Sequence, residues 1–129
     1  MDILLKTEDG SKQILLSDPS EYKLSKFDLT KSQRTTDGSM IMQYIATKRR
    51  LDLSWNAMEG SKLNEMLDFF AYIKQHTPAR PYFYVYYPDA EGTLKQFLAY
   101  HGDISYSLEF WNPNDAKLYW KVSVAFIEV

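Results

Sequence analysis

The sequence contains no cysteine, and its 5 glycines in 129 residues form no phosphate-binding loop pattern. Because cysteine is absent, disulfides and thiolate metal sites are excluded. No apolar run approaches the roughly 18 residues that a membrane-spanning helix requires. The first residues lack the basic and apolar segments of a secretory signal, and no Asn-x-Ser/Thr acceptor occurs. We therefore expect the chain to fold in a cytoplasm.

An excess of charge of one sign is also missing. Fifteen basic and 17 acidic residues give a net charge of −2, which argues against a general nucleic-acid binder, because such domains are normally basic. The nucleophile motif Gly-x-Ser-x-Gly is absent, and carboxylate pairs arise by chance in a chain this acidic. His76 is expected at a helix end and His101 in a tight turn, and neither has metal-site spacing. The sequence predicts no enzyme, metal or cofactor.

Aromatic residues, by contrast, are abundant, with 10 Tyr, 7 Phe and 3 Trp. Tyr and Trp suit half-buried sheets and protein–protein contacts. The length predicts a single domain over residues 1–129. Four strands are predicted over residues 82–87, 94–100, 104–110 and 118–126, and the alternation of the last two predicts an antiparallel meander with one solvated face. The first of these strands is apolar at every position, so we expect it to be covered on both faces, either by a helix and a second sheet or by another subunit.

One amphipathic helix is predicted over about residues 61–76, because apolar residues recur there at helical spacing. Ser61 is the expected N-cap, with Asn56 and Glu59 as the weaker alternative. Pro78 ends the helix, since the residue before a proline disfavours helical conformation. The apolar stripe consists of Leu63, Met66, Leu67, Phe70 and Ile73.

Residues 40–55 alternate between apolar and polar side chains over a length that is unusual for one strand. Extended at about 3.3 Å per residue they would span roughly 50 Å, whereas a compact domain of this size has a radius of gyration of about 14 Å. Either the strand breaks near Thr47, or half of it projects as a ribbon, and we favour projection. Its partner would be residues 22–29, with the polar residues 30–39 as the tip. These features predict a long protruding β-hairpin over about residues 22–55.

Basic residues cluster in one place, at Lys48-Arg49-Arg50, with Lys31 and Arg34 in the preceding tip. One interpretation is contact with an acidic partner surface or with DNA passing nearby. The other is a solvated ribbon whose charges deter edge-to-edge pairing. Tyr44 alone shares the parity of this cluster, so a specific nucleic-acid site is not predicted.

A pattern of residues in the predicted hairpin extends this reading. It comprises Phe27-Asp28-Leu29, Ser32-Gln33-Arg34-Thr35, Gly38, Met40, Ala46, Lys48-Arg49-Arg50-Leu51-Asp52-Leu53 and Trp55, followed by the helix and the Tyr-rich strand. The pattern resembles a group of small proteins encoded in the tail modules of siphophages and prophages of Gram-positive bacteria, over about residues 22 to 110. The resemblance implies a tail component without catalytic residues. It also implies a tail-tube type of fold, in which sheets with a flanking helix assemble around a lumen and a long hairpin reaches a neighbouring subunit or ring.

The predicted fold is therefore α+β and mainly β: an antiparallel β-sandwich or rolled sheet with one helix and the protruding hairpin. The predicted function is a structural component of a bacteriophage tail, in the tube, distal-tail or baseplate region, that self-assembles into a ring through sheet edges and the hairpin. Its expected partners are copies of itself and neighbouring tail proteins, with DNA only as cargo passing through a lumen, and no membrane. Its expected location is the virion tail, after assembly in the host cytoplasm.

An alternative is a carbohydrate- or receptor-binding module at the tail tip, with Trp111, Tyr119 or Tyr87 as stacking platforms. For the assembly function, the predicted subunit-interface residues lie at the hairpin tip and along the basic ribbon. They are Lys31, Gln33, Arg34, Thr35, Asp37, Gly38, Met40, Met42, Tyr44, Lys48 and Arg50.

Overall fold

The protein is described by a computed structural model that covers residues 3–34, 36, 38 and 40–129, with the backbone alone for residues 30–34 and 40–45. The chain is 58% strand, with one helix and an open antiparallel sheet. The prediction of a mainly β fold with one helix is confirmed. The elements are β1 (Ile3–Thr7), β2 (Gln13–Leu16), β3 (Glu21–Arg34), β4 (Met40–Glu59), α1 (Gly60–His76), β5 (Phe83–Pro88), β6 (Leu94–His101), β7 (Ser105–Asn112) and β8 (Lys117–Glu128).

The eight described strands form a single sheet, in the order β2-β1-β5-β6-β8-β4-β3, and β7 pairs with β8 outside this path. β6 pairs with residues 126–128 of β8, and β7 pairs with residues 117–123 of the same strand. The two strands therefore lie end to end along one edge of β8. Among the described strands, β7 has no neighbour on its other side.

The core lies between α1 and one face of the sheet. Phe83 of β5 and Phe126 of β8 are fully buried, and their ring centroids are 5.5 Å apart. The Phe83 ring also lies 5.9 Å from Phe69 and 5.5 Å from Phe70 of the helix. Edge-to-face contacts at these distances stabilise a core beyond simple area burial. The buried helix residues are Leu63, Met66, Phe69, Phe70 and Ile73.

The opposite face of the sheet has no covering layer within the described residues. β5 alternates buried and partly buried residues, so that Tyr84 and Tyr86 face outward beside the buried Val85. The second sheet that was considered as a cover for residues 82–87 is therefore not present in this part of the chain. The reason is topological, because all the described strands are used in one sheet.

The start of α1 differs from the prediction. Glu59 occupies the N-cap position and its side chain makes no capping bond. Instead, the Ser61 hydroxyl donates to the Glu59 carboxylate at 2.9 Å. Neither Ser61 nor the Asn56–Glu59 combination caps the helix, because β4 runs directly into α1 and Glu59 is still paired with Tyr119 of β8. The helix ends before Thr77, as predicted.

The hairpin of β3 and β4 is present, with a shorter connection than expected. β3 continues to Arg34 and β4 begins at Met40, so residues 30–34, predicted as part of the loop, are paired strand. Polar residues such as Thr, Ser and Gln are compatible with a solvated strand, which explains the error. β4 does not break near Thr47. The register shifts between Leu29 and Thr30, where β4 contains one extra residue.

Candidate subunit interface

The first candidate surface is the arm, defined as residues 26–34 of β3 with residues 40–49 of β4. β8 pairs with β4 only from Arg50 onward, so within the described strands the arm residues pair with each other alone. At about 3.3 Å per residue the arm spans roughly 30 Å. An isolated two-stranded hairpin is marginally stable in water. Packing against another molecule would therefore stabilise the arm.

A partly buried polar cluster fixes the base of the arm. The Arg49 guanidinium donates to the Glu128 carboxylate from Nε at 3.2 Å and from Nη2 at 3.0 Å, and to the Tyr87 hydroxyl at 3.0 Å. It also lies over the Phe97 ring, 5.1 Å from its centroid. The hydrogen bonds between the two groups raise the pKa of Arg49 and lower the pKa of Glu128. The cluster connects β4 to β5, β6 and β8 where the arm leaves the sheet.

We expect Arg49→Met to lower the free energy of unfolding by about 1–2 kcal/mol, because it leaves the Glu128 carboxylate and the Tyr87 hydroxyl without their shared donor. The ion-pair side chains are 26% and 21% exposed, so solvent screening keeps the loss below that of a fully buried pair. Urea unfolding measures the change. Arg49→Lys is the matched control. Its free energy of unfolding should lie between those of wild type and Arg49→Met, because lysine keeps the charge but lacks the planar guanidinium that donates to Glu128 and Tyr87 together. Wild-type stability of Arg49→Met would contradict this role.

The neighbouring basic residues also have partners within the chain. The Lys48 ammonium donates to the carbonyl oxygen of Val129 at 2.6 Å. Arg50 forms an exposed ion pair with Asp52 at 3.1 Å. Lys48 and Arg50, both predicted as interface residues, therefore lie at the base of the arm, with their charges directed at their own chain.

Most of the other predicted interface residues lie on the arm. Gly38 is in the connection, with a φ of +87°, a left-handed conformation that glycine adopts without strain. Thr35 and Asp37 lie outside the described residues. The backbone places the remaining six on paired strands: Lys31, Gln33, Arg34, Met40, Met42 and Tyr44.

The second candidate surface is the ribbon, defined as residues 105–121, which form the hairpin of β7 and the first part of β8. All of β7 before Asn112 is exposed. The register places Leu108 opposite Trp120 and Trp111 opposite Leu118, and Trp120 packs against the core beside α1. The helix-side face of the ribbon thus continues the core surface beyond the part that α1 covers. Its large exposed residues include Tyr106 (48%), Leu108 (52%) and Trp111 (56%).

A bulge at Glu109 divides the apolar residues of the ribbon between two faces. Leu108 lies opposite Trp120, whereas Phe110 lies opposite Tyr119, and successive residues of a strand point to opposite faces. The Phe110 and Tyr119 rings stack with centroids 4.9 Å apart. A simple alternation over residues 104–110 would have placed Phe110 beside Leu108. The face away from α1 therefore carries one aromatic pair, Phe110 and Tyr119, whereas the other large apolar residues of the ribbon lie on the helix-side face.

A groove of about 540 Å³ lies between the start of α1 and the helix-side face of the ribbon. Lys117 and Glu59 form an ion pair of 3.1 Å on its rim. An apolar groove that continues a hydrophobic core is typical of a site that receives apolar side chains from another chain. Its apolar walls are Leu63, Leu67, Tyr106, Leu118 and Trp120.

The turn that joins the two ribbon strands is held by side chains. The Asn114 amide donates to Asn112 Oδ1 and the Lys117 amide donates to Asp115 Oδ1, both at 3.0 Å. The Tyr119 hydroxyl donates to Asp115 Oδ2 at 2.7 Å, and this bond lowers the pKa of the Asp115 carboxyl. A turn fixed in this way leaves little conformational entropy to lose on association.

Among the described elements, β2, β3 and β7 are free along a whole edge, and β4 and β6 are free over residues 40–49 and 94–98. Soluble proteins protect such edges with lysine, proline or very short strands. Lys23 and Lys26 on β3 oppose pairing of one β3 edge with another, and β2 is four residues long. β7 has eight residues without lysine, arginine or proline, and its one charge is Glu109. β7 is therefore the least protected edge.

The stacking platforms of the alternative hypothesis have different environments. Tyr87 is 1% exposed, so its ring cannot stack on a ligand from solvent and its proposed role as a stacking platform is wrong. Its ring packs on Phe97 in the core, a contact that no local sequence pattern predicts. Tyr119 is partly buried under Phe110. Trp111 is exposed, as that hypothesis requires.

The ribbon is not among the residues predicted as the subunit interface. Its sequence does carry a signal, because residues 105–111 contain Tyr106, Leu108, Phe110 and Trp111 and no basic residue. Within the described residues, no group of His, Asp or Glu side chains has the geometry of a metal site. No helix in that part of the chain is long and apolar enough to cross a bilayer.

No protein-family model matches the sequence, and no curated protein is significantly similar to it. The two surfaces described above, the arm and the ribbon, are therefore the basis for assigning a function.

Proposed function

We propose that this chain is a structural component of a bacteriophage tail, in the tube, distal-tail or baseplate region, and that it works by self-assembly into a ring. The observation that carries the proposal is the ribbon, an exposed apolar hairpin with an unprotected edge and a fixed turn. Soluble monomers rarely leave such a surface uncovered. The resemblance of the hairpin region to small tail-module proteins of siphophages and prophages supplies the viral context.

Ring formation follows from joining two different surfaces. The edge of β7 in one copy pairs with the outer edge of β3 in the next, so the contact is heterologous, and repeated heterologous contacts form a ring when the rotation between neighbouring copies closes. Glu109 is the one charge on β7, whereas Lys23 and Lys26 lie on β3. This charge complementarity favours β7–β3 pairing over β7–β7 pairing. The apolar helix-side face of the ribbon becomes buried on assembly.

The arm provides a second contact in this proposal. It reaches a neighbouring copy or an adjacent ring, with the predicted interface residues along its strands and connection. The described fold is an open antiparallel sheet with one helix, and in this proposal such subunits assemble around a lumen, as in the tail-tube type of fold that the resemblance implies. Neighbouring tail proteins and DNA passing through that lumen are the further partners of the proposal.

We expect Leu108→Lys to prevent assembly, because it places a charge on the face that becomes buried. A charge without a partner in an interface should raise the dissociation constant by about 100-fold or more. Leu108 is 52% exposed, so the free energy of unfolding of the subunit should change by less than about 0.5 kcal/mol. Sedimentation velocity and negative-stain electron microscopy measure the loss of rings.

Leu94→Lys is the matched control for this experiment. Leu94 is 62% exposed and lies at the start of β6, outside the residues that define the ribbon and the arm. It should assemble as wild type does. Normal rings formed by Leu108→Lys, or equal loss in both variants, would remove the ribbon from the interface.

The exposed Trp111 side chain also favours a second candidate, a carbohydrate- or receptor-binding module at the tail tip. A tryptophan face can stack on a sugar ring, and the groove beside it contains polar rim residues such as Glu59 and Asn64. A glycan array probed with the purified assembly distinguishes the two candidates. Absence of binding would remove the second candidate and leave the first unaffected.

A further inference from the structure

His101 lies at the junction of β6 and β7, away from the arm and the ribbon faces. Its ring packs on Phe70 of α1, with centroids 4.3 Å apart. Nδ1 is 2.8 Å from the carbonyl oxygen of Gly102, and because a carbonyl only accepts, Nδ1 carries the proton. Nε2 is buried and has no hydrogen-bond partner. The structure therefore holds a neutral imidazole with one enclosed, unprotonated nitrogen.

The position of His101 is important for the sheet. The pairing of β6 with β8 ends at His101, which lies opposite Phe126. The pairing of β7 with β8 begins at Ser105, which lies opposite Ser123. Between these points the Gly102 amide donates to the Ala125 carbonyl at 2.8 Å. The imidazole thus lies between α1 and the segment from which β7 begins.

The surroundings of the ring disfavour its protonated form. A proton on Nε2 would place a donor and a positive charge where no acceptor is present. Burial lowers the pKa of His101, and this outweighs the opposing effect of the hydrogen bond to Gly102. Lys74 on α1 acts in the same direction as burial, and Asp103 in the following loop opposes it. From β8, the residue opposite the ring is the apolar Phe126.

We propose that His101 is an acid-sensitive contact, in which the neutral imidazole keeps α1 packed on the β6–β7 junction and protonation loosens that packing. The direction follows from linkage. The unfolded chain takes up a proton as the pH falls through the ordinary histidine value of 6.5, whereas the folded chain resists it. The contribution of His101 to stability is therefore complete above that pH and decreases as the pH falls below it. The contact does not depend on assembly.

Thermal unfolding at pH 7.5 and pH 5.5 tests the proposal, using wild type, His101→Phe and His76→Gln. His101→Phe keeps an aromatic ring against Phe70 and removes the titration, whereas His76→Gln removes the one other imidazole of the chain. Between the two pH values, the midpoint temperature of wild type and of His76→Gln should fall by roughly 3–5 °C more than that of His101→Phe. An equal fall in all three proteins would overturn the proposal.

NMR titration of the wild-type imidazoles provides the second measurement, and it stands even where His101→Phe proves unstable. The pKa of His101 should lie below the ordinary histidine value of 6.5. On acidification below that value, the amide protection factor of Phe70 should also decrease more than that of Leu5 in β1, because the loosening is local. Titration of His101 at or above pH 6.5 would overturn the proposal, as would uniform loss of protection.

Discussion

Replacement of residues 30–45 by Asn-Gly is expected to abolish assembly and to leave the folded core unchanged. Leu29 and Ala46 lie opposite each other in the register of β3 and β4, and Asn-Gly is the preferred two-residue turn between paired strands. The shortened chain keeps the Arg49–Glu128 contact and the whole of the β4–β8 pairing. It loses only the part of the arm that has no other neighbour among the described strands.

The size of the effect follows from the area involved. Stable subunit interfaces usually bury more than about 1,000 Å², and the distal half of the arm, roughly 17 Å long at about 3.3 Å per residue, provides a large share of such an area. Its removal should raise the dissociation constant by at least about 100-fold. Sedimentation velocity of the shortened chain measures this.

The control for this variant is its own thermal unfolding, which should occur within a few degrees of wild type because no core residue has been removed. A shortened chain that forms normal rings would show that the arm is dispensable. A shortened chain that does not fold would show that the arm stabilises the subunit itself.

A second large effect is expected for Phe83→Ala, which should lower the free energy of unfolding by about 3–5 kcal/mol. Phe83 is 0% exposed, and its ring contacts both phenylalanines at the centre of α1 as well as Phe126 of β8. Truncation leaves a cavity that these rings cannot fill without leaving their rotamers. Because small domains have a total stability of about 5–15 kcal/mol, the loss is a large fraction of the whole. Guanidinium unfolding followed by tryptophan fluorescence measures it.

Tyr84→Ala is the matched control, since it removes the adjacent aromatic side chain of the same strand. Tyr84 is on the face of β5 that α1 does not cover, so its loss should cost less than half as much. The comparison tests which face of the Tyr-rich strand is the core. A larger effect of Tyr84→Ala than of Phe83→Ala would place the core on the other face.

The elements that the sequence predicts well are those in which one local signal dominates. The helix follows from apolar residues at a spacing of three and four, and its end follows from Pro78. The long strand that became β4 was predicted from its alternation and its length. Phe69 is fully buried although it lies outside the predicted stripe, because its ring packs against Phe70 and against Phe83 of β5.

Other features depend on contacts between distant residues. Arg49 and Glu128 are far apart in the chain and no local pattern connects them, so the base of the arm could not be predicted. Alternation in β7 predicts one apolar face, but it does not indicate whether any element covers that face. The exposure of the ribbon is therefore visible only in the structure. The boundary at Arg34 was missed for a different reason, because a solvated strand and a polar loop have similar compositions.

The most direct test of ring formation is the native mass of the purified chain, measured by size-exclusion chromatography with light scattering over a wide range of concentrations. We predict a mass that is a whole multiple, greater than two, of the 15.1 kDa subunit mass. Because a closed ring has no free interface, the mass should also stop increasing with concentration. A mass of one subunit at the highest concentration would contradict the account.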